Sequence, residues 1–109
     1  MANAYKILGQ LADASANDVT LYTVPSSTET IVSSIIVCNR ESAANTFRLA
    51  IKANSGSVAN EDYIAFDTSI AANDTVTLTL GITLDAADVV CAGASDANVT
   101  FSIFGTEIS

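Results

Sequence analysis

The stretch that most constrains the fold is residues 74–84, DTVTLTLGITL, in which aliphatic side chains occupy every second position. Threonine fills four of the positions between them, and Gly81 fills the other. Side chains alternate between the two faces of a β-strand, so this strand has one aliphatic face and one threonine face. The aliphatic face must be covered by a second layer, which predicts a layered β fold.

Further strand-like segments follow one another along the chain, separated by turn signals about every 8–12 residues. No segment has a helical period. We predict seven or eight strands and two longer loops. The strands are at residues 19–24, 28–39, 45–52, 62–68, 74–84, 89–92 and 99–108, with a strand or arm at 4–8 and loops at 12–18 and 53–60.

This spacing predicts an all-β domain, an antiparallel two-sheet β-sandwich that is jelly-roll-like or immunoglobulin-like. A true immunoglobulin domain would place a tryptophan between its two cysteines, and this chain has no tryptophan, so the jelly-roll-like alternative is favoured. We expect residues 1–18 to be an N-terminal strand or arm plus a linker, and residues 19–109 to be a single sandwich domain.

The charge is strongly acidic and unevenly distributed. Twelve acidic and four basic residues give a net charge of −8, and all four bases lie at or before Lys52. Phosphate binding needs clustered Lys and Arg, so we expect no nucleic-acid partner. The acids either solubilise loops, or they belong to an acidic half that faces water while a neutral half docks on a partner.

Half of the residues are apolar, yet no run approaches the ~18 apolar residues of a membrane helix. We therefore expect no membrane contact. Surplus apolar surface on so small a domain favours contact with other subunits. Residues 28–39 carry apolar side chains on both faces, which predicts a strand that is central or at a subunit contact.

Catalytic patterns are absent from the sequence. Without histidine, the usual nucleophilic triads and cysteine-protease sites cannot form, and two cysteines 53 positions apart do not make a zinc site. Neighbouring acids lack the ligand spacing of a calcium loop, so they are interpreted as solvated turn carboxylates. These acid pairs are Glu61 with Asp62, Asp85 with Asp88, and Asp67 with Asp74. We expect no enzyme activity and no cofactor.

Cys38 and Cys91 are expected to be free thiols, because the first ten residues lack a signal peptide and the cytosol is reducing. A bridge between facing strands remains the alternative. Tyr22 and Phe104 are opposite in phase to Leu21 and Ile103. They are therefore predicted to point away from the main core, either covering the sandwich edges or anchoring an interface.

Residues 21–51, LYTVPSSTETIVSSIIVCNRESAANTFRLAI, resemble a recurring pattern in small structural proteins of tailed bacteriophages, cyanophages among them. Residues 3–10, 71–90 and 101–108 are similar too, so the resemblance covers nearly the whole chain. It implies a virion protein with a β-sandwich body, made in the host bacterial cytoplasm and present in many copies. A cement or decoration protein on the capsid lattice fits best. The alternatives are a tail, baseplate or fibre-attachment component and, from another class, a carbohydrate-binding module.

The implied partners are the major capsid protein or other virion proteins, together with further copies of this chain. The apolar residues of the arm would lie on a neighbouring subunit or on the chain's own sheet, and two arginines would pair with an acidic lattice. The seven candidate interface residues are Tyr5, Ile7, Leu8, Tyr22, Arg40, Arg48 and Phe104.

Overall fold

The computed structural model describes residues 2–53 and 56–109 as eight strands and one 3₁₀ turn. Residues 54 and 55 of the predicted 53–60 loop lie outside the described residues. The strands are β1 (Asn3–Leu11), β2 (Val19–Thr23), β3 (Glu29–Asn39), β4 (Asn45–Lys52), β5 (Tyr63–Ile70), β6 (Thr75–Leu84), β7 (Val89–Ala94) and β8 (Val99–Ile108), and the 3₁₀ turn is Asn60–Asp62.

Two antiparallel four-stranded sheets form the sandwich. Sheet 1 has the order β1-β8-β3-β6, and sheet 2 has the order β2-β7-β4-β5. The chain crosses between the sheets at every connection except the one from β4 to β5. This is the order of a jelly roll. An immunoglobulin sandwich does not share it, because its first two strands lie in the same sheet, whereas β1 and β2 lie in different sheets.

The prediction for the threonine-rich stretch is confirmed. β6 runs from Thr75 to Leu84 with its aliphatic side chains facing the core and its threonines exposed. Leu84 alone of the aliphatic residues is fully buried, and the other four are half-buried. These four are half-buried because β6 is an edge strand of sheet 1 and has a neighbouring strand, β3, on one side only. At the corresponding edge of sheet 2, β5 likewise pairs only with β4.

Aliphatic and aromatic side chains from both sheets form the core. Phe47 of sheet 2 meets Phe101 of sheet 1 edge to face, with ring centroids 6.4 Å apart. Around them lie fully buried residues that alternate with outward-facing ones along each strand. These include Val32, Ile35, Val37, Leu49, Val90, Val99 and Ile103.

Local bulges change the phase that simple alternation predicts. The pairing of β2 with β7 shifts between Thr20 and Tyr22, so that Leu21 and Tyr22 are both buried in the core. The prediction that Tyr22 points away from the core is therefore wrong. The pairing of β3 shifts between Val32 and Ser34, which puts Ile31 on the face opposite to Ile35. A bulge inserts one unpaired residue and leaves no periodic mark in the sequence.

Asn39 joins the turns at one end of the sandwich. Its side chain is 1% exposed, and its Nδ2 donates to the carbonyls of Ala43 at 2.9 Å and Ala71 at 3.1 Å. Its Oδ1 accepts from the Glu41 backbone N–H and from Asn45 Nδ2. One buried amide thus ties the β3–β4 and β5–β6 turns together.

Candidate interaction face

The outward surface of sheet 1 is a regular array of side chains across all four strands. Directly paired residues share a face, so the strand pairing arranges these side chains in four rows. We call this surface the outer face. Its rows are Tyr5–Thr106–Ile31–Thr83, Ile7–Phe104–Ser34–Thr79, Gln10–Ser102–Ile36–Thr77 and Thr100–Cys38–Thr75.

No charged side chain stands in these four rows, although the protein carries a net charge of −8. Glu29 lies beyond the first row, where it pairs with Ile108. Three large apolar side chains of the outer face are exposed: Tyr5 at 79%, Ile7 at 54% and Ile31 at 41%. The outer face is therefore a neutral surface that mixes apolar and hydroxyl groups on an acidic protein.

A polar network fixes β1 to the rest of the sandwich behind this face. The Tyr22 hydroxyl donates to Glu107 Oε2 at 2.6 Å and lies 2.8 Å from Thr30 Oγ1, while Lys6 Nζ lies 2.7 Å from Glu107 Oε1. The network joins β1, β2, β3 and β8. Burial raises the pKa of Tyr22 to about 12, and the bond to Glu107 acts in the same direction.

The hydrogen bond that raises the pKa of Tyr22 lowers the pKa of the Glu107 carboxyl group. The Lys6 ammonium and then the Tyr22 hydroxyl lower the pKa of Glu107 by donating to its charged form. Glu107 is therefore an ionised acceptor at neutral pH, and Tyr22 is a neutral donor. This arrangement positions residues and shows no group poised for proton transfer.

Three of the seven predicted interface residues lie together. Tyr5, Ile7 and Phe104 are on the outer face, and Ile7 is paired directly with Phe104. Leu8 occupies the register shift between Ile7 and Gly9 and packs against the core, so it is separated from them. Tyr22 lies inside the sandwich.

The two arginines lie elsewhere. Arg48 is on sheet 2, where it binds Asp67 through Nε at 2.6 Å and Nη2 at 3.2 Å and covers the Phe66 ring at 4.1 Å. This pairing lowers the pKa of Asp67. Arg40 follows β3, and its backbone N–H donates to the Asn98 carbonyl at the turn end of the sandwich. Arg48 therefore lies away from the outer face, and Arg40 lies outside its four rows, two residues beyond Cys38 of the fourth row.

Sequence reasoning missed Ile31, Ile36 and the exposed threonines of β6 as members of this surface. A signal for the first two was present, because residues 28–39 are apolar on both faces. Which of those residues turn outward depends on the register shift at Ser33, which the sequence does not reveal.

The acidic side chains gather at the turns. An open groove of about 420 Å³ at one end of the sandwich is lined by Glu29, Asp85 and Asp88 among others. Asp88 closes the β6–β7 turn by accepting from the Asp85 backbone N–H at 2.8 Å. Across residues 2–53 and 56–109, no group of three or more His, Cys, Asp or Glu side chains could hold a metal ion.

Both cysteines are free thiols. Cys38 is half-buried on the outer face, whereas Cys91 is buried against Ala50 and Val89 on the outward side of sheet 2. Two sheets lie between them, which accounts for the absence of a bridge. Burial raises the pKa of the Cys91 thiol. Among the described residues, no helix is long and apolar enough to cross a membrane.

Neither a protein-family model nor a curated protein matches the sequence. Among solved structures, a chain of infectious bursal disease virus, Gx strain, matches with a TM-score of 0.50 and 11% identity. The match covers 97% of this chain and 32% of that chain, so this chain spans about a third of the viral one. At this identity the likeness shows a shared fold alone.

Two structures of a pentameric capsid protein isolated from metagenomic phage sequences also match, each at 12% identity. Their TM-scores are 0.41 and 0.35, and each match covers 95% of this chain. The matches cover 63% and 64% of those chains, so this chain spans under two thirds of their length.

Proposed function

We propose that this protein is a virion structural protein of a tailed bacteriophage, a cement or decoration protein that binds the assembled capsid through its outer face. The observation that carries the proposal is the contrast between a net charge of −8 and four rows of side chains that hold no charge. Jelly rolls occur in viral capsid proteins, but also in lectins and cupins, so the fold by itself does not select a function.

The chemistry of the outer face suits burial against another protein. Burying a charge without a partner is costly, whereas burying apolar and hydroxyl groups requires only that the hydroxyls find hydrogen-bond partners. Tyr5, Ile7 and Ile31 offer exposed apolar area in one patch. Aromatic residues such as Tyr5 are enriched at protein interfaces.

The size of the face indicates a modest single contact. Four strands about 4.8 Å apart, with about eight residues of about 3.3 Å each, give a face of roughly 500 Å². A stable interface buries about 800 Å² on each partner, so adjacent turns would have to contribute. A cement protein can act through modest contacts, because the shell repeats the site and binding to the assembled lattice alone stabilises it by mass action.

Substitution of Ile7 by glutamate tests the proposal. Ile7→Glu introduces a charge into the neutral face, and we expect it to weaken cosedimentation with purified capsids of the parent phage by about tenfold or more. Ile64→Glu is the matched control, because Ile64 is 47% exposed on β5 of the other sheet. Equal capsid occupancy by both variants would contradict the proposal.

Gold labelling of the protein on intact particles separates the alternative locations. Label distributed over the shell supports the cement role, and label confined to the tail or baseplate favours the alternative. Truncation of β1 is unsuitable for either test, because β1 pairs with β8 along its length.

A carbohydrate-binding role is less well supported by the aromatic geometry. Tyr63 and Phe66 meet edge to face at 79°, and the exposed Tyr5 lies on the other sheet. These rings do not form one flat platform on which a sugar could stack. Specific binding on a glycan array would reopen this alternative.

A further inference from the structure

The open edge of β6 is neither short nor charged and contains no proline, so it lacks three features that usually prevent one strand from pairing with another. It is ten residues long, has no charge and no proline, and its exposure alternates without interruption from Thr75 to Leu84. Natural edge strands are commonly shortened, bulged or charged, because an exposed row of backbone N–H and C=O groups is a template for another strand.

The other three edge strands do carry such features. β1 has a register shift at Leu8 and bears Lys6, and β2 is five residues long with a shift of its own. β5 has two register shifts against β4, and Asp67 within it has a φ of 49°. β6 also has a register shift against β3, where Leu80 and Gly81 lie opposite Ser33, but among the four edge strands of the described chain it alone is both long and free of charge.

The inner side of β6 is also incompletely covered. Val76, Leu78, Leu80 and Ile82 face the core but remain half-buried, because within the described chain β6 pairs with β3 alone. Another strand added beside β6 would cover these side chains and satisfy its edge at the same time.

We propose that β6 pairs antiparallel with β6 of a second copy of this chain, joining two copies of sheet 1 into one eight-stranded sheet. With Thr79 opposite its own copy, Leu78 lies opposite Leu80 and Val76 opposite Ile82. Threonines and Gly81 then share the outward side. The alternation makes β6 self-complementary, as a twofold interface requires. Ten residues on each copy would supply about ten backbone hydrogen bonds.

Charge favours a second copy at this edge over contact elsewhere. Two chains of net charge −8 repel each other, and β6 is a strand at which they can meet without opposing carboxylates along its length. Asp74 and Asp85 flank the strand, and at each end of the antiparallel pair Asp74 of one copy comes near Asp85 of the other. The association is therefore expected to tighten as salt screens them. The proposal does not depend on the role in the virion.

A charge-swap experiment at Thr79 tests the pairing. Sedimentation equilibrium of the wild type should give a dimer, twice 11.2 kDa. Thr79→Lys places two lysines opposite each other, and Thr79→Glu does the same with carboxylates, so each variant alone should have a dissociation constant raised by about tenfold or more. An equimolar mixture of the two variants should recover the dimer.

Thr20 supplies the matched control, because it is an exposed threonine on the edge strand β2 of the other sheet. Thr20→Lys should dimerise like the wild type. A wild-type monomer at about 100 µM would overturn the proposal, because the dissociation constant would then lie well above that concentration. Open-ended aggregates, unchanged dimers in both Thr79 variants, or a mixture that stays monomeric would also overturn it.

Discussion

The Tyr22 hydroxyl links the two sheets through a charged acceptor, Glu107. Replacing Tyr22 with phenylalanine removes its bonds to Glu107 and Thr30. We expect Tyr22→Phe to lower the free energy of unfolding at pH 7 by about 1–3 kcal/mol, because a buried bond to a carboxylate is lost. Urea denaturation measures the change.

Raising the pH tests the contribution of Tyr22 to stability in a second way. Because the folded pKa of Tyr22 is raised from 10.0 to about 12, the stability that its neutral form contributes is complete below pH 10.0 and is lost as the pH rises through about 12. The difference in stability between wild type and Tyr22→Phe should therefore shrink across that window. A difference that stays constant from pH 9 to about pH 12 would contradict the assigned role.

Asn39 offers a second prediction at the residue scale. Asn39→Ala leaves the carbonyls of Ala43 and Ala71 without their buried donor, and we expect a loss of about 2–4 kcal/mol in the free energy of unfolding. Asn60→Ala, at an exposed position in the 3₁₀ turn, should change it by less than about 0.5 kcal/mol. Equal effects on the urea midpoint would show that the amide does not hold the turns together.

Among the strands, β8 and β3 approach closely where a side chain would not fit. A Cβ at Gly105 would lie 2.1 Å from the Ile31 carbonyl oxygen, whereas a Cβ at Gly81 on β6 meets no atom within 4 Å. Gly105→Ala should therefore lower the free energy of unfolding by about 2 kcal/mol or more, and Gly81→Ala should leave it within about 0.5 kcal/mol. Chemical denaturation of the pair, with similar losses in both, would disprove the packing argument.

The sequence predicted where the strands lie, but it did not always predict which side chains of a strand face the core. The strict alternation of β6 predicted both of its faces, because its register shift against β3 leaves the alternation of exposure along β6 unbroken. Alternation failed at Tyr22 and Ile31 because each lies beside a bulge, and a bulge is set by how neighbouring strands fit. Its cause is a contact between residues far apart in the chain.

The residues of the outer face could also be predicted only in part, because their neighbours depend on contacts between residues far apart in the chain. Tyr5 and Ile7 were named as apolar residues of the N-terminal arm and Phe104 for its phase, and the three lie on one surface. Arg48 was named for its charge, but its partner Asp67 is 19 residues away in sequence and the pairing depends on the register of β4 with β5. Sequence could not show that this arginine already has an acid partner.

In the whole molecule, charged residues are separated by the surface on which they lie and not by the half of the chain to which they belong. The sequence suggested a neutral half up to Lys52 and an acidic half after it. In the fold, sheet 1 combines β1 and β3 from the first half with β6 and β8 from the second, and its outer face is neutral. The acids of both halves lie mainly in the turns at the two ends of the sandwich.

A net charge of −8 makes the stability of the protein dependent on salt. Raising NaCl from about 0.02 M to about 0.5 M shortens the screening length from about 20 Å to about 4 Å, and repulsion among the turn carboxylates should weaken. We expect the urea midpoint to rise. An Asp74→Asn, Asp96→Asn double variant should gain less from salt, and a midpoint that falls with salt would mean that the ion pairs dominate.

The strand order has a consequence for biosynthesis. β8 lies between β1 and β3, so β1 has no partner in sheet 1 until Val99–Ile108 has left the ribosome. Until then the nascent chain holds the apolar sides of β1 and β3 with no neighbour between them. β8, the last of the eight strands in sequence, thus completes the sandwich, and a polypeptide released before β8 is made would expose apolar surface to chaperones and proteases.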